Sequence, residues 1–387
     1  MIRISKVLYT IAWFIAVICL SGISVSSAAS GKLPGQITIS GRTLLRDGKP
    51  WVPKTVAIVG TSVPPAIAGQ ACVMSALKTA LANLSESTFT SLKTLGADTA
   101  RITVSATGYD PASTEYDPGY AAFTRRWVNY ARSIGLNVVL TMRQHAPACV
   151  GKETMPDNST AVAWKTLAPL FAQDHGVIFE LFSEPNSQVN RGGRAEFANP
   201  TAEDWAAWQR SFNNLISIVR ATGASNPLGI QGLMAGKEFN SAYPLTDPDN
   251  SYIWTIHVYF NAVIPFKTPA DWDQYFGNFC RSSGRPCLIT EWQDAGHDIN
   301  PRTNRTRSAG CSGDAPAMAR QFISYVMANK WGLGAWAFDY PNTVMVGTSK
   351  TQVTTYDNWR GTCGNSPPVW GNGQLLFKAY NDPAWGR

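Results

Sequence analysis

The chain has 387 residues, and 33 basic against 26 acidic side chains give it a formal charge of +7. Its basic residues are scattered except around Arg302, Arg305 and Arg307, so the stripe or patch that nucleic-acid binding requires is missing and no such partner is expected. The length suits one large domain, the size of a barrel of about 250 residues with insertions.

Arg3 and Lys6 precede an apolar run from Val7 to Leu20 and a small-residue stretch from Ser24 to Ser30. That layout predicts a signal peptide over residues 1–29, cleaved near Ala28 or Ala29, and a single domain over 30–387. A membrane-spanning helix needs about 20 apolar residues, and Ser21 with Gly22 ends this run sooner. Ile18, where a lipoprotein signal wants a small residue, argues against an anchor at Cys19. A secreted protein, extracellular or periplasmic and without stable membrane association, is expected.

From Ile37 to Pro53 the apolar residues alternate around an Asp47-Gly48 turn, which predicts a hairpin plugging the bottom of a barrel. Short β-rich runs then recur at Thr55–Gly60, Thr99–Val104, Asn137–Met142, Val177–Ser183, Leu228–Gln231, Tyr252–Tyr259, Cys287–Glu291 and Gly334–Phe338. Segments with helical spacing lie between them at Leu77–Leu95, Tyr120–Ile134, Thr160–Gln173, Ala202–Ala221, Pro269–Ser282 and Ala315–Lys330; only the crossover Gly232–Asn250 shows no helix. Repeated βα units imply a parallel sheet, and the strand number fits a closed (β/α)8 TIM barrel. An open doubly wound sheet is disfavoured because no Gly-rich phosphate fingerprint follows an early strand. Long loops follow the seventh and eighth strands, Gln293–Asp314 and Asp339–Asn372.

Without Cys19 an even set of six cysteines remains, as expected for a disulfide-bonded exported protein. Cys280 and Cys287 are close in sequence, and Cys311 and Cys363 lie in the two long loops, which leaves Cys72 with Cys149. No CxxC pair suggests a metal site, and no G-x-S-x-G elbow suggests an esterase.

Barrel enzymes carry their reactive side chains at the carboxyl ends of strands, where this sequence offers Arg101, His145, Glu184, His257, Tyr259, Glu291 and Trp336. Two carboxylates on different strands suit glycoside hydrolysis, in which one carboxyl protonates the leaving oxygen while the other acts at the anomeric carbon. Glu180, deeper on the strand of Glu184, reads as a buried structural carboxylate.

The segment IFELFSEPN (178–186) resembles the fourth-strand Asn-Glu-Pro signature of family 5 glycoside hydrolases, a cellulase superfamily, and LITEWQ (288–293) resembles its nucleophile segment. GADTARITVS (96–105), TIHVYF (255–260) and GAWAFDY (334–340) match its arginine, His-x-Tyr and tryptophan segments, so the resemblance spans roughly residues 40 to 385. It implies Glu184 as acid/base, Glu291 as nucleophile, Arg101 and Tyr259 holding Glu291 ionised, His257 beside the acid/base, and Trp336 as a sugar platform. Trp292, from its place after a strand end, is read as lining a subsite or packing a loop. Two departures stand out. Ser183 replaces the asparagine that bonds the sugar 2-hydroxyl, either weakening turnover on plain glucans or making room for a 2-substituent. TMRQHAP replaces the family's Asp-x-His ending, leaving His145 or Arg143 in that role. The expected protein is a monomeric retaining endo-β-glucanase, cellulase-like, needing no cofactor or metal and acting on a polysaccharide or oligosaccharide. The alternatives are a glycosidase for mannan, a C2-amino glycan or a glycoconjugate, and a sugar-binding barrel with weakened catalysis.

Overall fold

The computed structural model describes residues 33–143, 149, 154–187, 199–259, 268–293, 297–299, 306–308, 315–355 and 372–387. The expected signal peptide, His145, Cys311 and Cys363 lie outside the described residues. The chain divides after Lys32 into a short N-terminal unit and one from Leu33 to Arg387.

Three short antiparallel strands open it: β1 (Ile37–Ser40), β2 (Thr43–Arg46) and β3 (Lys49–Pro50). The expected single hairpin is therefore a three-stranded sheet. The Asp47-Gly48 turn joins β2 to β3 with φ of 51° and 78°, the conformation that a two-residue hairpin turn requires. An additional turn at Gly41-Arg42 joins β1 to β2. Ile37 and Leu44 of this sheet pack with Val139, Ile178, Ile253 and Leu288, closing the barrel's lower end with apolar side chains.

Eight parallel strands form the barrel: β4 (Lys54–Ile58), β5 (Thr99–Ser105), β6 (Asn137–Arg143), β7 (Val177–Glu180), β8 (Leu228–Gln231), β9 (Tyr252–Tyr259), β10 (Cys287–Gln293) and β13 (Gly332–Ala335). The ring runs β4-β5-β6-β7-β8-β9-β10-β13 and closes by pairing β13 with β4. Between β10 and β13, β11 (His297–Ile299) and β12 (Thr306–Ser308) pair as an antiparallel ribbon within the seventh loop. The barrel strands are buried on both faces, which explains their near-continuous apolar sequences.

Helices cover the outside: α1 (Ser75–Asn83), α2 (Glu86–Thr94), α3 (Tyr120–Ser133), α4 (Asn158–Phe171) and α5 (Ala202–Ala221) precede β8. The segment Leu77–Leu95, which reads as one helix, is split because Ser85 adopts extended backbone and forms a capping box with Thr88, starting α2 afresh. After β8 comes a single turn, α6 (Leu233–Gly236), in which Met234 and Ala235 have φ of 53° and 56°. Segment Pro269–Ser282 is continuous but contains a π turn at Asp273–Gly277. Indole N–H groups of Trp164 in α4 and Trp208 in α5 donate to the carbonyls of Leu181 and Gln231, each at 2.8 Å. Both bonds fix the strand ends from which the site is built.

Candidate active site

Strand alternation sends Arg101 and Thr103 of β5, Thr141 of β6, Glu180 of β7, Gln231 of β8 and His257 of β9 into the barrel, all buried. Arg101 is the hub. Its Nε donates to Glu180 Oε2 at 2.6 Å, its Nη1 to Glu291 Oε1, and its Nη2 to Ser183 Oγ at 3.2 Å. Thr141 and Thr290 add hydroxyl donors to Glu180 at 2.6 and 2.8 Å. Burial works against ionisation of Glu180, but Arg101, with the hydrogen bonds from Thr141 and Gln231, brings its pKa down to about 2.

Glu291 reaches the same space through an irregularity. The register between β10 and β9 shifts between Ile289 and Glu291, so Thr290 and Glu291 both address the interior although they are consecutive. Tyr259 donates its phenol to Glu291 Oε2, and Arg101 occupies Oε1. Burial and the nearby Glu184 oppose the charge on Glu291, yet the Nδ1 edge that His257 turns toward it at 3.4 Å and the Arg101 cation outweigh them, leaving its pKa below the usual value. Tyr259 keeps its own proton, because burial and the adjacent Glu291 push its pKa well up.

Glu184 stands beyond the end of β7 with φ of 61°, a left-handed backbone rare for a side chain other than glycine. Ser183 N–H donates to the Met142 carbonyl at 2.9 Å, and Glu184 N–H to Gln231 Oε1 at 2.7 Å. His257 Nδ1 lies 3.2 Å from Glu184 Oε1 and 3.4 Å from Glu291 Oε2. Arg143 Nη2 is 3.9 Å from Glu184 Oε2, so the third strand does bring a cation to the acidic pair.

Glu184, His257 and Glu291 each offer a ligand atom within 4.8 Å of the others, the one grouping among the described residues that could hold a metal ion. The Arg101 charge already on Glu291 works against a second cation there.

Most of the named residues thus come together: Arg101, Ser183, Glu184, His257, Tyr259 and Glu291 share one hydrogen-bonded cluster. Trp336 is half-buried at the end of β13, its ring 4.5 Å from that of Tyr340. Trp292 is a correction. It is fully buried and stacks on Phe322 of the helix Ala315–Ala328, because the residue after an inward Glu291 faces out of the barrel. Gln231 is a residue the charge-led reading passed over, although it closes an apolar run just as Arg101 and His257 do. Gln293, which also ends a strand, is buried, and neither of its amide atoms is hydrogen-bonded among the described residues.

Comparison with known proteins agrees with this architecture. The model of the cellulase family, glycosyl hydrolase family 5, matches residues 66–342. No curated protein sequence matches the chain. Among solved structures, an endocellulase from Pyrococcus horikoshii is similar at 15% identity, with a TM-score of 0.61 over 90% of this chain and 100% of that one. A β-mannanase from Streptomyces thermolilacinus follows at 18% identity and a TM-score of 0.57, over 82% of this chain and 92% of that one. A β-glucanase from Saccharophagus degradans matches at 14% identity and 0.61, over 90% and 95%. The chain belongs to glycosyl hydrolase family 5 and is an O-glycoside hydrolase.

Proposed function

We propose that this protein is an exported, retaining endo-β-glycanase that cleaves β-1,4-linked glucan, with Glu184 as acid/base and Glu291 as nucleophile. The observation that carries this reading is the spacing of the two carboxylates, which offer oxygens within 4.8 Å of one another. Double displacement uses carboxyl groups about 5 to 5.5 Å apart, whereas inversion needs about 6.5 to 9.5 Å to admit water.

In the first step a Glu291 oxygen bonds to the anomeric carbon while the glycosidic C–O bond breaks, and the Glu184 proton goes to the departing oxygen. Glu184 then takes a proton from water as the water oxygen displaces Glu291, returning both residues to their starting states. Arg101 and Tyr259 lie on the two oxygens of Glu291 and so favour its departure as a carboxylate. Trp336 supplies an apolar face for a pyranose ring, and the amide of Gln293, unpaired among the described residues, suits sugar hydroxyls. The endocellulase and β-glucanase among the structural neighbours support a glucan. The bridges Cys72–Cys149 and Cys280–Cys287 support export, since disulfides persist in oxidising compartments. Among the described residues no helix is long and apolar enough to cross a membrane.

A second substrate reading, a glycan with nitrogen at C2, is favoured by one contact. Ser183 is fully buried with its hydroxyl engaged by Arg101, and a serine, shorter than asparagine, makes room for a 2-substituent. Reducing-end release from β-1,4-glucan, mixed-linkage glucan, mannan, xylan and chitosan, with Glu291→Ala beside the wild type, separates these readings. Release from glucan by the wild type alone supports the first, and release from chitosan alone supports the second. Silence on every polymer favours a conjugate substrate or a sugar-binding role.

A further inference from the structure

We infer that Gln231 is a positioning residue for this reaction: its side-chain amide anchors the backbone of Glu184 and dictates which nitrogen of His257 carries the proton. The inference rests on the catalytic reading above, and it begins with the orientation of one amide. Gln231 is fully buried at the end of β8. The Glu184 N–H that faces it at 2.7 Å can only donate, so the atom it meets must be the amide oxygen. The amide nitrogen then has two hydrogens and two neighbours, Glu180 Oε1 at 2.9 Å and His257 Nε2 at 2.8 Å.

His257 Nε2 must therefore present a lone pair. Arg101 Nη2, 3.4 Å from the same ring nitrogen, is also exclusively a donor. The neutral ring carries its hydrogen on Nδ1, and that N–H faces Glu184 Oε1 at 3.2 Å and Glu291 Oε2 at 3.4 Å. In this tautomer the ring donates to whichever carboxylate is ionised, Glu291 before attack and Glu184 after its proton has left. The opposite tautomer would turn a lone pair toward an anion.

The second duty of Gln231 concerns shape. Glu184 holds a left-handed backbone, and the bond from its N–H to Gln231 Oε1 fixes the peptide that enters that turn. Gly236 closes on the amide from the other side: with φ of 76°, it has no Cβ, and one built there would come within 2.8 Å of Gln231 Oε1. The preceding Met234 and Ala235 are themselves left-handed, and Ala235 N–H donates to the carbonyl of Pro185 at 3.0 Å. The segments carrying Gln231 and Glu184 are thereby tied together twice.

Gln231→Glu tests this, since it keeps an oxygen for the Glu184 N–H while replacing the amide nitrogen with an acceptor. Nitrogen-15 NMR of histidine-labelled full-length protein, assigned with His257→Gln, reads the tautomer directly. The wild type should show His257 as the neutral Nδ1–H form, and Gln231→Glu should lose that form. On a chromogenic β-glucoside oligomer the variant's kcat should fall about tenfold or more, with KM within about threefold. An Nε2–H or doubly protonated ring in the wild type overturns the inference. So does a variant that keeps both the Nδ1–H signal and the rate. If Gln231→Glu fails to fold, the wild-type spectrum alone decides. A wrong substrate or nucleophile would leave that spectrum unchanged, so the two failures are distinguishable.

Discussion

Arg101 binds Glu180 through Nε at 2.6 Å, with both side chains shut off from solvent, and turns its remaining nitrogens toward Glu291 and Ser183. The lower carboxylate thus holds the cation, and the cation holds the upper carboxylate. Removing one member of a buried pair leaves its partner's charge uncompensated, at a cost of about 3–5 kcal/mol. Arg101→Met should lose stability on that scale in urea unfolding and lose turnover as well. A loss below about 1 kcal/mol would mean that the pair is not held as described.

Glu180 should also leave a mark on acid stability. Its pKa falls from 4.5 to about 2 on folding, because Arg101 outweighs the burial penalty. The unfolded chain therefore binds the extra proton between these values, so the stabilisation is present above pH 4.5 and fades as pH falls toward 2. The stability gap between wild type and Glu180→Gln should shrink over that window in urea titrations. A gap that stays constant would contradict this.

Asp339 works with the opposite sign. Burial raises its pKa from 3.8 to about 6 despite backbone N–H donors from Val59 and Gly60. The folded protein holds this proton longer than the unfolded chain, so its contribution is intact below pH 3.8 and is lost as pH rises through about 6. Thermal melts of Asp339→Asn should show a flatter pH dependence across this range than wild type. An equal slope in both proteins would reject the assignment.

The two disulfides among the described residues should differ in worth because they close loops of different size. Cys72 and Cys149 are 77 residues apart and Cys280 and Cys287 are seven apart. Chain entropy gives about 4.5 kcal/mol for the longer loop and about 2.4 for the shorter. Paired alanine substitutions measured by urea unfolding should fall in that order, and the reverse order would show that unfolded-state entropy does not govern them.

The barrel was legible because parallel strands buried on both faces leave dense apolar runs, and the polar residues closing those runs stand out. Arg101, His257 and Tyr259 follow directly from alternation along regular strands. The rest depends on departures from that period. The β10 register shift turns consecutive Thr290 and Glu291 to one side, and Trp292, read as a subsite aromatic, consequently faces Phe322. Glu184 takes its place through a positive φ that no pattern of side chains announces. Gln231 carries no charge, so a search for acids, bases and rings passes it by, and its role emerges from what its amide can donate and accept.

The most direct test of the two carboxylate roles is the stereochemistry of azide rescue. In Glu291→Ala, azide can occupy the vacated space and attack the anomeric carbon of an activated β-glycoside from the face opposite the leaving group. With Glu291 as nucleophile this variant forms the α-glycosyl azide, whereas Glu184→Ala forms the β-azide by intercepting the glycosyl-enzyme. A β-azide from Glu291→Ala, or an α-azide from Glu184→Ala, would contradict the assignment of both residues.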